Sequence, residues 1–498
     1  MLSRNHIGAV RISSLRDISV KPVKYFSTAR RVRKDLKSTL KEAIPEKVES
    51  FKYVKSNLGD KSFGELKVST ILGGMRGNRS VLWEASTLDP NEGIRFHGLT
   101  IKDCQKKLQK SQAEADSPLS EMLPESMFWF LLTGKLPSQE QINDFTAQLA
   151  ENAELPGYLH TLLDSLPSTL HPMTQMSIAI SALNHDSLFA KAYERGIPKT
   201  EMWEYVFDDV INLVAKLPAI AGKIYQNTFY EGYMRSNSLQ TLGEINKKKD
   251  ISYNLASLLG MTKNDSVNLK GLSETDSSDF VNLIRLYCAL HADHEGGNVS
   301  AHATHLVGSA LSDPYLSYSA GIQGLAGPLH GLAAQEVLRF IVAMKESLVK
   351  GSEMPSDEQI STYLWDILNS GRVIPGYGHA VLRRPDPRFE AMVDFGLARP
   401  SISKSDVHFK LVHQLSKVAP GVLKEHGKTQ NPYPNVDSSS GVLFYHYGIT
   451  ETMYFTVIFG VSRALGPLAQ LVWDRILGLP IERPKSVNLQ TITNAFGK

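Results

Sequence analysis

The sequence predicts an all-α protein with two domains. Apolar residues recur at helical spacing in successive segments, among them 203–226, 279–291, 332–349 and 452–477. Alternation typical of a β-strand is scarce, and residues 66–72 are the best candidate for one. At 498 residues the chain exceeds the ~250–300 residues at which a single hydrophobic core stops growing, so two domains are expected.

Two of the helices can be placed by their ends. Ser138 followed by Gln141 is the pattern of a capping box, and apolar residues then repeat at one-turn spacing. Pro124 begins another helix and Gly134 ends it, because proline is favoured in the first turn and glycine just beyond the last.

Turns that carry glycine and proline, at 324–331 and 431–441, are the expected crossings between the two domains. They predict a large helical domain made of residues 27–329 and 438–498 and a small helical domain made of residues 330–437. A cleft between two helical domains is a favoured place for a ligand.

Residues 1–26 differ in charge from the rest of the chain. Of the 54 basic and 51 acidic residues they hold five and one, which leaves 49 and 50 for the remainder. A basic, serine-bearing segment without the apolar block of a secretory signal is typical of an organellar transit peptide, with a disordered basic tail as the alternative. The nearly neutral remainder gives no reason to expect a nucleic-acid partner.

The cysteines and the hydropathy pattern exclude two further classes. Cys104 and Cys288 are too few and too far apart for a disulfide framework, so a reducing compartment is expected. The most apolar stretch, residues 455–461, is stopped by Arg463 and is far shorter than the ~18–20 residues of a membrane span. No membrane association is therefore expected.

Three turns each place a proton-carrying side chain beside glycine or proline: His330, His379 and Asp437. Two histidines and one carboxylate suit concerted acid–base catalysis. His330 precedes a predicted helix, whose N-terminus would keep its ring neutral and able to donate to a carbonyl oxygen. The residues alone leave a plain alternative open for each turn. His330 could be a helix-capping histidine, His379 could follow a simple glycine turn, and Asp437 could be an N-cap aspartate.

Arginines accompany these turns. Three of them, the last being Arg388, follow His379 within nine residues, which suits capture of carboxylate or phosphate, although a solvated basic face is the alternative. Arg463 lies in an apolar helix, where an unpaired charge is costly, so it must meet a carboxylate of the protein or of a substrate. Arg483 either serves a site or pairs with Glu482.

Histidines and carboxylates also cluster between residues 291 and 305, which permits a metal-site hypothesis because both are usual zinc ligands. No HExxH or other specific spacing is present. The preferred interpretation is that Gly296 and Gly297 end a helix and let His294 face a cleft.

Together these segments resemble the citrate synthase family of eukaryotic type, over nearly all of the chain beyond the N-terminal segment. The resemblance rests on several motifs in one order: GGMRG (73–77), LDP (88–90), HPM (171–173), HADHEGGNVSAH (291–302), GPLHG (327–331), PGYGHAVLR (375–383), PNVD (434–437) and ERPKS (482–486).

The resemblance implies a mostly helical homodimer whose large and small domains close over oxaloacetate and an acyl-CoA, with no metal and no redox cofactor. Asp437 would take the α-proton of the acyl thioester while His330 hydrogen-bonds its oxygen, and His379 would polarise the ketone of oxaloacetate. Water would then hydrolyse the new thioester and release CoA. The residues implied for the oxaloacetate carboxylates are His294, Arg388, Arg463 and, across the subunit interface, Arg483.

For CoA, the residues that the resemblance implies are Arg76, Arg383, Lys428 and the backbone of Ile374, Pro375, Gly376, Tyr377 and Gly378. The chain departs from many animal members in the loop at 196–202, where Lys199 stands in place of a CoA-binding arginine. Lysine supplies a point charge but no bidentate fork, so Lys199 is left out of the site.

The segment FYHYG (444–448) bears on the choice of acyl-CoA. Ordinary mitochondrial members commonly have LQYYG here, whereas FYHYG is similar to the fungal 2-methylcitrate synthase branch, which accepts propionyl-CoA as well as acetyl-CoA. On a helix, Phe444 lies two turns beyond Asp437 on the same face, where it would shape the acyl pocket indirectly. Since one methylene gives only ~1–3 kcal/mol of discrimination, we expect an enzyme of the mitochondrial matrix that uses both substrates.

Three alternatives remain from the sequence. One is a citrate synthase that acts essentially only on acetyl-CoA. Another is a metal-dependent hydrolase built on the cluster at 291–305, and the last is a catalytically inactive helical scaffold.

Overall fold

The computed structural model describes residues 34–262, 269–351, 353–379 and 381–497. The predicted transit peptide, residues 1–26, lies outside the described residues. Contacts group the residues from Asp35 onward into one unit. The division of that unit into a large and a small domain stays a prediction.

The described residues are mainly helical, as predicted, and the candidate site residues lie at helix ends. The α-helices are, in chain order, α1 (Leu36–Asn57), α2 (Val68–Leu72), α3 (Ile101–Lys107), α4 (Pro124–Thr133), α5 (Gln139–Glu151), α6 (Gly157–Ser165), α7 (Pro172–Ala182), α8 (Leu188–Glu194), α9 (Met202–Tyr225), α10 (Glu231–Ser236), α11 (Ile251–Leu258), α12 (Glu274–Leu290), α13 (Val299–Ser309), α14 (Pro314–Leu325), α15 (Ala333–Leu348), α16 (Asp357–Asn369), α17 (Pro387–Leu397), α18 (Pro400–Ser403), α19 (Val407–His426), α20 (Asp437–His446), α21 (Phe455–Arg463), α22 (Leu465–Leu477) and α23 (Leu489–Phe496).

The predicted ends of α4 and α5 are confirmed. Ser138 Oγ accepts a hydrogen bond from Gln141 N, and the Gln141 side chain accepts one from Ser138 N, which completes the capping box. Gly134 follows α4 in the left-handed conformation, with φ 67°, which costs glycine little because it has no Cβ.

The predicted strand at 66–72 is wrong. Residues Val68–Leu72 form the short helix α2, none of whose residues is buried, so the apolar alternation has no core face to cover. Among the described residues, the strands are instead β1 (Ser86–Asp89) and β2 (Gly93–Phe96), an antiparallel pair. Asp89 Oδ1 closes their turn by accepting hydrogen bonds from Asn91 N and Glu92 N.

The described part of the chain contains one stretch, Thr452–Leu477, that is apolar and long enough to cross a membrane, with a mean hydropathy of 1.4. It is not one straight helix, since it comprises a 3₁₀ turn, α21 and α22. Its apolar window is 94% buried inside the protein, where α21 packs on α12 and α22 packs on α4 and α9. Burial in the core accounts for its composition.

Helix packing brings the candidate residues together. His330 lies in the turn before α15, His379 in the loop between α16 and α17, Asp437 at the start of α20 and Arg463 at the end of α21. Helix α20 packs against α15 and α17, and α12 packs against α17 and α21. These contacts direct the helix ends toward one region.

Candidate active site

The ring of His330 is held by the N-terminus of α13. Its Nε2 accepts a hydrogen bond from Ser300 N at 3.3 Å and lies 2.9 Å from Ser300 Oγ. Because Nε2 carries the lone pair, Nδ1 carries the proton and remains a donor. Burial, together with the charge of Arg463, lowers the pKa of His330 to about 4, so the ring is neutral at physiological pH.

Two glycines are required by the turns of the site. A Cβ on Gly331 would lie 2.2 Å from the carbonyl oxygen of Leu325, so no other residue fits beside His330. Gly376 has φ +81°, and a Cβ there would lie 2.5 Å from Ser438 Oγ, in the first turn of α20.

The loop 374–379 is joined to the segment that leads into α20. Asn435 N donates to the carbonyl oxygen of Gly376 at 2.9 Å, and Ser438 Oγ donates to the same oxygen. Asn435 Nδ2 donates to the carbonyl oxygen of Gly378 at 3.2 Å. These hydrogen bonds place His379 beside the start of the helix that carries Asp437.

Backbone hydrogen bonds fix the tautomer of His379. Its Nδ1 accepts from Val381 N and from Leu382 N, both at 3.0 Å, so Nε2 carries the proton. Burial and the charge of Arg388 lower the pKa of His379, which favours the neutral ring. His379 is therefore a neutral donor, with its ring centroid 5.7 Å from that of His294.

Asp437 is the first residue of α20 but does not cap it. The N-cap is Val436, which makes no side-chain cap. Within the described residues the Asp437 carboxylate has no hydrogen-bond or ion-pair partner. Burial raises the pKa of Asp437 to about 6, while Arg388 and Arg463 act in the opposite direction. A carboxylate with a pKa close to neutrality and no protein partner is suited to general-base work.

Arg388 is buried and is held by Asp386. Arg388 Nε and Nη2 donate to the two carboxylate oxygens of Asp386 at 3.1 and 2.7 Å. Burial acts to raise the pKa of Asp386, but Arg388 outweighs it and keeps that pKa below its usual value. The pair fixes the guanidinium plane, and the remaining nitrogen can meet a ligand.

Arg463 has no carboxylate partner among the described residues, although its side chain is buried. Its Nε donates to the carbonyl oxygen of His291 at 3.0 Å, and its guanidinium carbon lies 4.9 Å from the ring centre of Phe459. Burial and the nearby Arg388 lower the pKa of Arg463 to about 10, which still leaves it charged at neutral pH. Of the two options from the sequence, the structure favours an anion from outside the chain.

His294 offers a further buried polar atom. Its Nε2 has no hydrogen-bond partner in the described protein. Burial, followed by the charges of Arg388 and Arg463, holds the pKa of His294 well below its usual value. The structure therefore places His294, Arg388 and Arg463, which the resemblance implies for oxaloacetate, near the residues predicted to be catalytic.

The predicted CoA residues lie in part along one groove of about 410 Å³. Ile374, Tyr377 and Lys428 line it, together with Arg372. Arg383 adjoins the groove, because its Nη2 lies 3.4 Å from the Oε1 atom of Gln430, another lining residue. Hydrogen bonds within the protein already use the carbonyl groups of Gly376 and Gly378 and the amide of Gly378. In the sequence, Pro375 stands between Ile374, which lines the groove, and the turn at Gly376.

Two predicted residues lie apart from these groups. Arg76 is exposed and lines a separate groove of about 360 Å³ with Phe63 and Arg79. Arg483 is exposed in the segment that leads to α23. Their assignments stay predictions.

The histidines between 291 and 305 point to different partners. His302 Nε2 lies 2.9 Å from Glu482 Oε1, and His305 Nδ1 lies 2.8 Å from Asp474 Oδ2, whereas His294 faces His379. Within the described ranges, no group of three or more His, Cys, Asp or Glu side chains is arranged to hold a metal ion. The metal-site hypothesis gains no support from this geometry.

Sequence reasoning missed several residues of the site. Asp386 and Ser300 hold Arg388 and His330, and Phe459 lies within 6.3 Å, between ring centres, of His330. The sequence could have placed Phe459 at the site, because it precedes Arg463 by one helical turn and so lies on the same face of the helix. Tyr287, whose ring stacks on that of His291 with centres 4.0 Å apart, gave no local signal, because it is one more apolar residue in the sequence of α12.

Comparison with known proteins gives a consistent result. The family model described as citrate synthase, C-terminal domain, matches residues 74–485. The chain is 57% identical to the mitochondrial 2-methylcitrate synthase of Gibberella moniliformis over 490 residues, which are 98% of this chain and 97% of that protein. It is 53% identical to mitochondrial citrate synthase 3 of Saccharomyces cerevisiae, over 91% of each chain.

A solved structure shares the fold. The citrate synthase of Thermoplasma acidophilum, in ternary complex with carboxymethyl coenzyme A and oxaloacetate, superposes with a TM-score of 0.64 at 19% sequence identity. The match covers 85% of this chain and 97% of that one.

Proposed function

The chain belongs to the citrate synthase family, and we propose that it condenses propionyl-CoA or acetyl-CoA with oxaloacetate and hydrolyses the product thioester to 2-methylcitrate or citrate and free CoA. The observation that carries the proposal is the half-buried carboxylate of Asp437, which has no partner among the described residues and a pKa of about 6, near two neutral histidines that are fixed as donors. The naming of the relatives as 2-methylcitrate and citrate synthases supports both substrates.

The first step is removal of the α-proton of the acyl-CoA. Asp437 accepts the proton, and the C–H electron pair becomes the new double bond of an enol. His330 donates from Nδ1 to the thioester oxygen, where negative charge develops. Such a fixed donor in a dry site stabilises the charge with little reorganisation.

The second step joins the two substrates. The enol carbon attacks the ketone carbon of oxaloacetate, and the C=O electron pair moves to the oxygen. His379 donates its Nε2 proton to that oxygen, which becomes the tertiary hydroxyl of the product, and the proton held by Asp437 restores the His379 ring. Water then adds to the thioester carbonyl, and the CoA thiol leaves with a proton.

Arg388, Arg463 and His294 hold the oxaloacetate carboxylates in this proposal. Among the described residues Arg463 has no carboxylate partner, which supports its role, since a buried guanidinium is costly until an anion pairs with it. Because the steps are proton transfers and additions to carbonyl groups, the proposal includes no metal and no redox cofactor.

Lys428, Arg383 and Arg372 lie along the groove proposed for CoA, where their charges suit its phosphates. Arg76 is assigned to CoA by resemblance alone. We place the enzyme in the mitochondrial matrix, as the mitochondrial labels of the relatives suggest, and propose no nucleic-acid or membrane partner.

The active site is proposed to be shared between two copies of the chain, with Arg483 of one copy reaching the oxaloacetate of the other. Its segment exposes apolar side chains, with Ile481 61%, Leu489 74% and Phe496 79% exposed. An exposed apolar segment beside an unused arginine suits contact with a second subunit. Mixing inactive Asp437→Asn and Arg483→Gln chains should restore part of the activity, whereas a site within one chain would give no complementation.

The test of the reaction is CoA release by the purified enzyme, with either acyl-CoA in parallel. We expect release with both thioesters, dependent on oxaloacetate and unchanged by a chelator. Release with acetyl-CoA alone would favour the second candidate, a citrate synthase specific for acetyl-CoA. Release without oxaloacetate, or its loss with the chelator, would contradict the proposal.

A further inference from the structure

Tyr287, on α12, is a buried residue that the reaction steps above do not use. Only 2% of it is exposed, and its hydroxyl has no hydrogen-bond partner within the described residues. Burial, followed by the charge of Asp437, holds the pKa of Tyr287 well above its usual value, while Arg463 and Arg388 act in the opposite direction. The charge of the group proposed to take the α-proton therefore reaches the Tyr287 hydroxyl.

Two rings fix the position of Tyr287. His291 stacks on it with ring centres 4.0 Å apart and an interplanar angle of 25°. Phe444 meets it edge-on, with centres 4.9 Å apart. Phe444 is itself 1% exposed and lies on α20, two turns beyond Asp437, so one helix carries both the base and the support behind Tyr287.

This arrangement determines where an acyl substituent can go. The base must lie beside the α-carbon, so any group on that carbon lies beside the neighbours of the base. Acetyl-CoA has only hydrogen there, whereas propionyl-CoA has a methyl group. Phe444 shares α20 with Asp437 and contacts the Tyr287 ring, so the position of that ring depends on the helix that carries the base.

We propose that Tyr287, held by Phe444 and His291, forms the wall of the acyl pocket and sets the discrimination between acetyl-CoA and propionyl-CoA. The inference rests on the proposed function. In it Tyr287 contacts the substrate, and Phe444 is a positioning residue that acts through Tyr287.

The test compares Phe444→Leu with the matched variant Phe280→Leu. Phe280 is fully buried on α12, and it packs edge-on against Tyr447 at 5.7 Å rather than against Tyr287. Both variants lose a buried ring at the interface of α12 and α20. The measured quantity is the ratio of kcat/KM for propionyl-CoA to that for acetyl-CoA, with oxaloacetate saturating.

We expect Phe444→Leu to raise this ratio at least five-fold, because the Tyr287 ring can tilt into the vacated space and widen the pocket. Phe280→Leu should leave it within two-fold. Tyr287→Phe, which keeps the ring, should also leave it within two-fold. Equal loss of both kcat/KM values in Phe444→Leu, or equal ratios in the two leucine variants, would overturn the inference.

Two further measurements keep the test decisive. If Phe444→Leu does not fold, Phe444→Met preserves most of the volume and replaces it, with a shift in the same direction expected. Failure of the proposed function is seen separately, as no CoA release by the unaltered enzyme with either thioester. If the unaltered enzyme uses acetyl-CoA alone, a gain of propionyl-CoA turnover in Phe444→Leu supports the wall and no gain overturns it.

Discussion

Replacing Asp437 with asparagine should remove activity and stabilise the protein at neutral pH. Burial raises the pKa of this carboxyl from 3.8 to about 6, so the folded state disfavours the charged form. Between about pH 4 and pH 6 the folded state keeps the proton on Asp437, whereas the unfolded state releases it. The free energy of unfolding therefore falls as the pH rises through that range. Above about pH 6 the folded protein bears the full cost of holding a charged carboxylate at Asp437, and the substitution by asparagine removes that cost.

The size of the gain follows from the shift. About two pKa units correspond to at most ~3 kcal/mol. Because the Asp437 side chain is partly exposed, solvent screening reduces this, and we expect ~1–2 kcal/mol, or roughly 2–4 °C in Tm. Loss of the general base should lower kcat by ~10²–10⁴-fold.

Thermal unfolding of both proteins at pH 7.5 and at about pH 4 measures the effect. The Tm difference should be positive at the higher pH and should vanish at the lower one. Asp386→Asn is the control of opposite sign, because Asp386 is paired with Arg388 and its pKa is lowered. Removing it leaves a buried guanidinium unpaired, at a cost of ~3–5 kcal/mol. An Asp437→Asn protein that is less stable at pH 7.5, or active, would refute the reasoning.

The remaining predictions concern pH and substrate binding. The value of kcat/KM for the acyl-CoA should fall about ten-fold per pH unit below pH ~6, where Asp437 is protonated, and a profile flat to pH 5 would exclude it as the base. Arg463→Gln should raise KM for oxaloacetate at least ~30-fold in initial-rate measurements and leave KM for the acyl-CoA within two-fold. Lys428→Gln should raise KM for the acyl-CoA only ~2–5-fold, an effect that added salt should mask; an equal change for oxaloacetate would contradict its place in the CoA groove.

Local sequence signals predicted the helices and much of the site. Ser138 and Gly134 mark helix ends because capping depends on neighbouring residues alone. Arg463 was informative for the same reason: a charge in an apolar helix requires an anion wherever the helix packs.

Features that depend on tertiary packing were out of reach. The alternation at 66–72 pairs with no strand of the described residues and forms the short helix α2, none of whose residues is buried, since alternation alone does not supply a core face. The contact of Tyr287 with Phe444 joins two rings that lie on different helices, α12 and α20. The tautomers of His330 and His379 depend on backbone amides, which any sequence possesses.

The most direct test of the account is a competition assay. The enzyme receives oxaloacetate with equal concentrations of acetyl-CoA and propionyl-CoA, and mass spectrometry measures the ratio of 2-methylcitrate to citrate at low conversion. That ratio equals the ratio of the two kcat/KM values, and the account predicts that both products form in comparable amounts. Citrate in more than thousand-fold excess would contradict it.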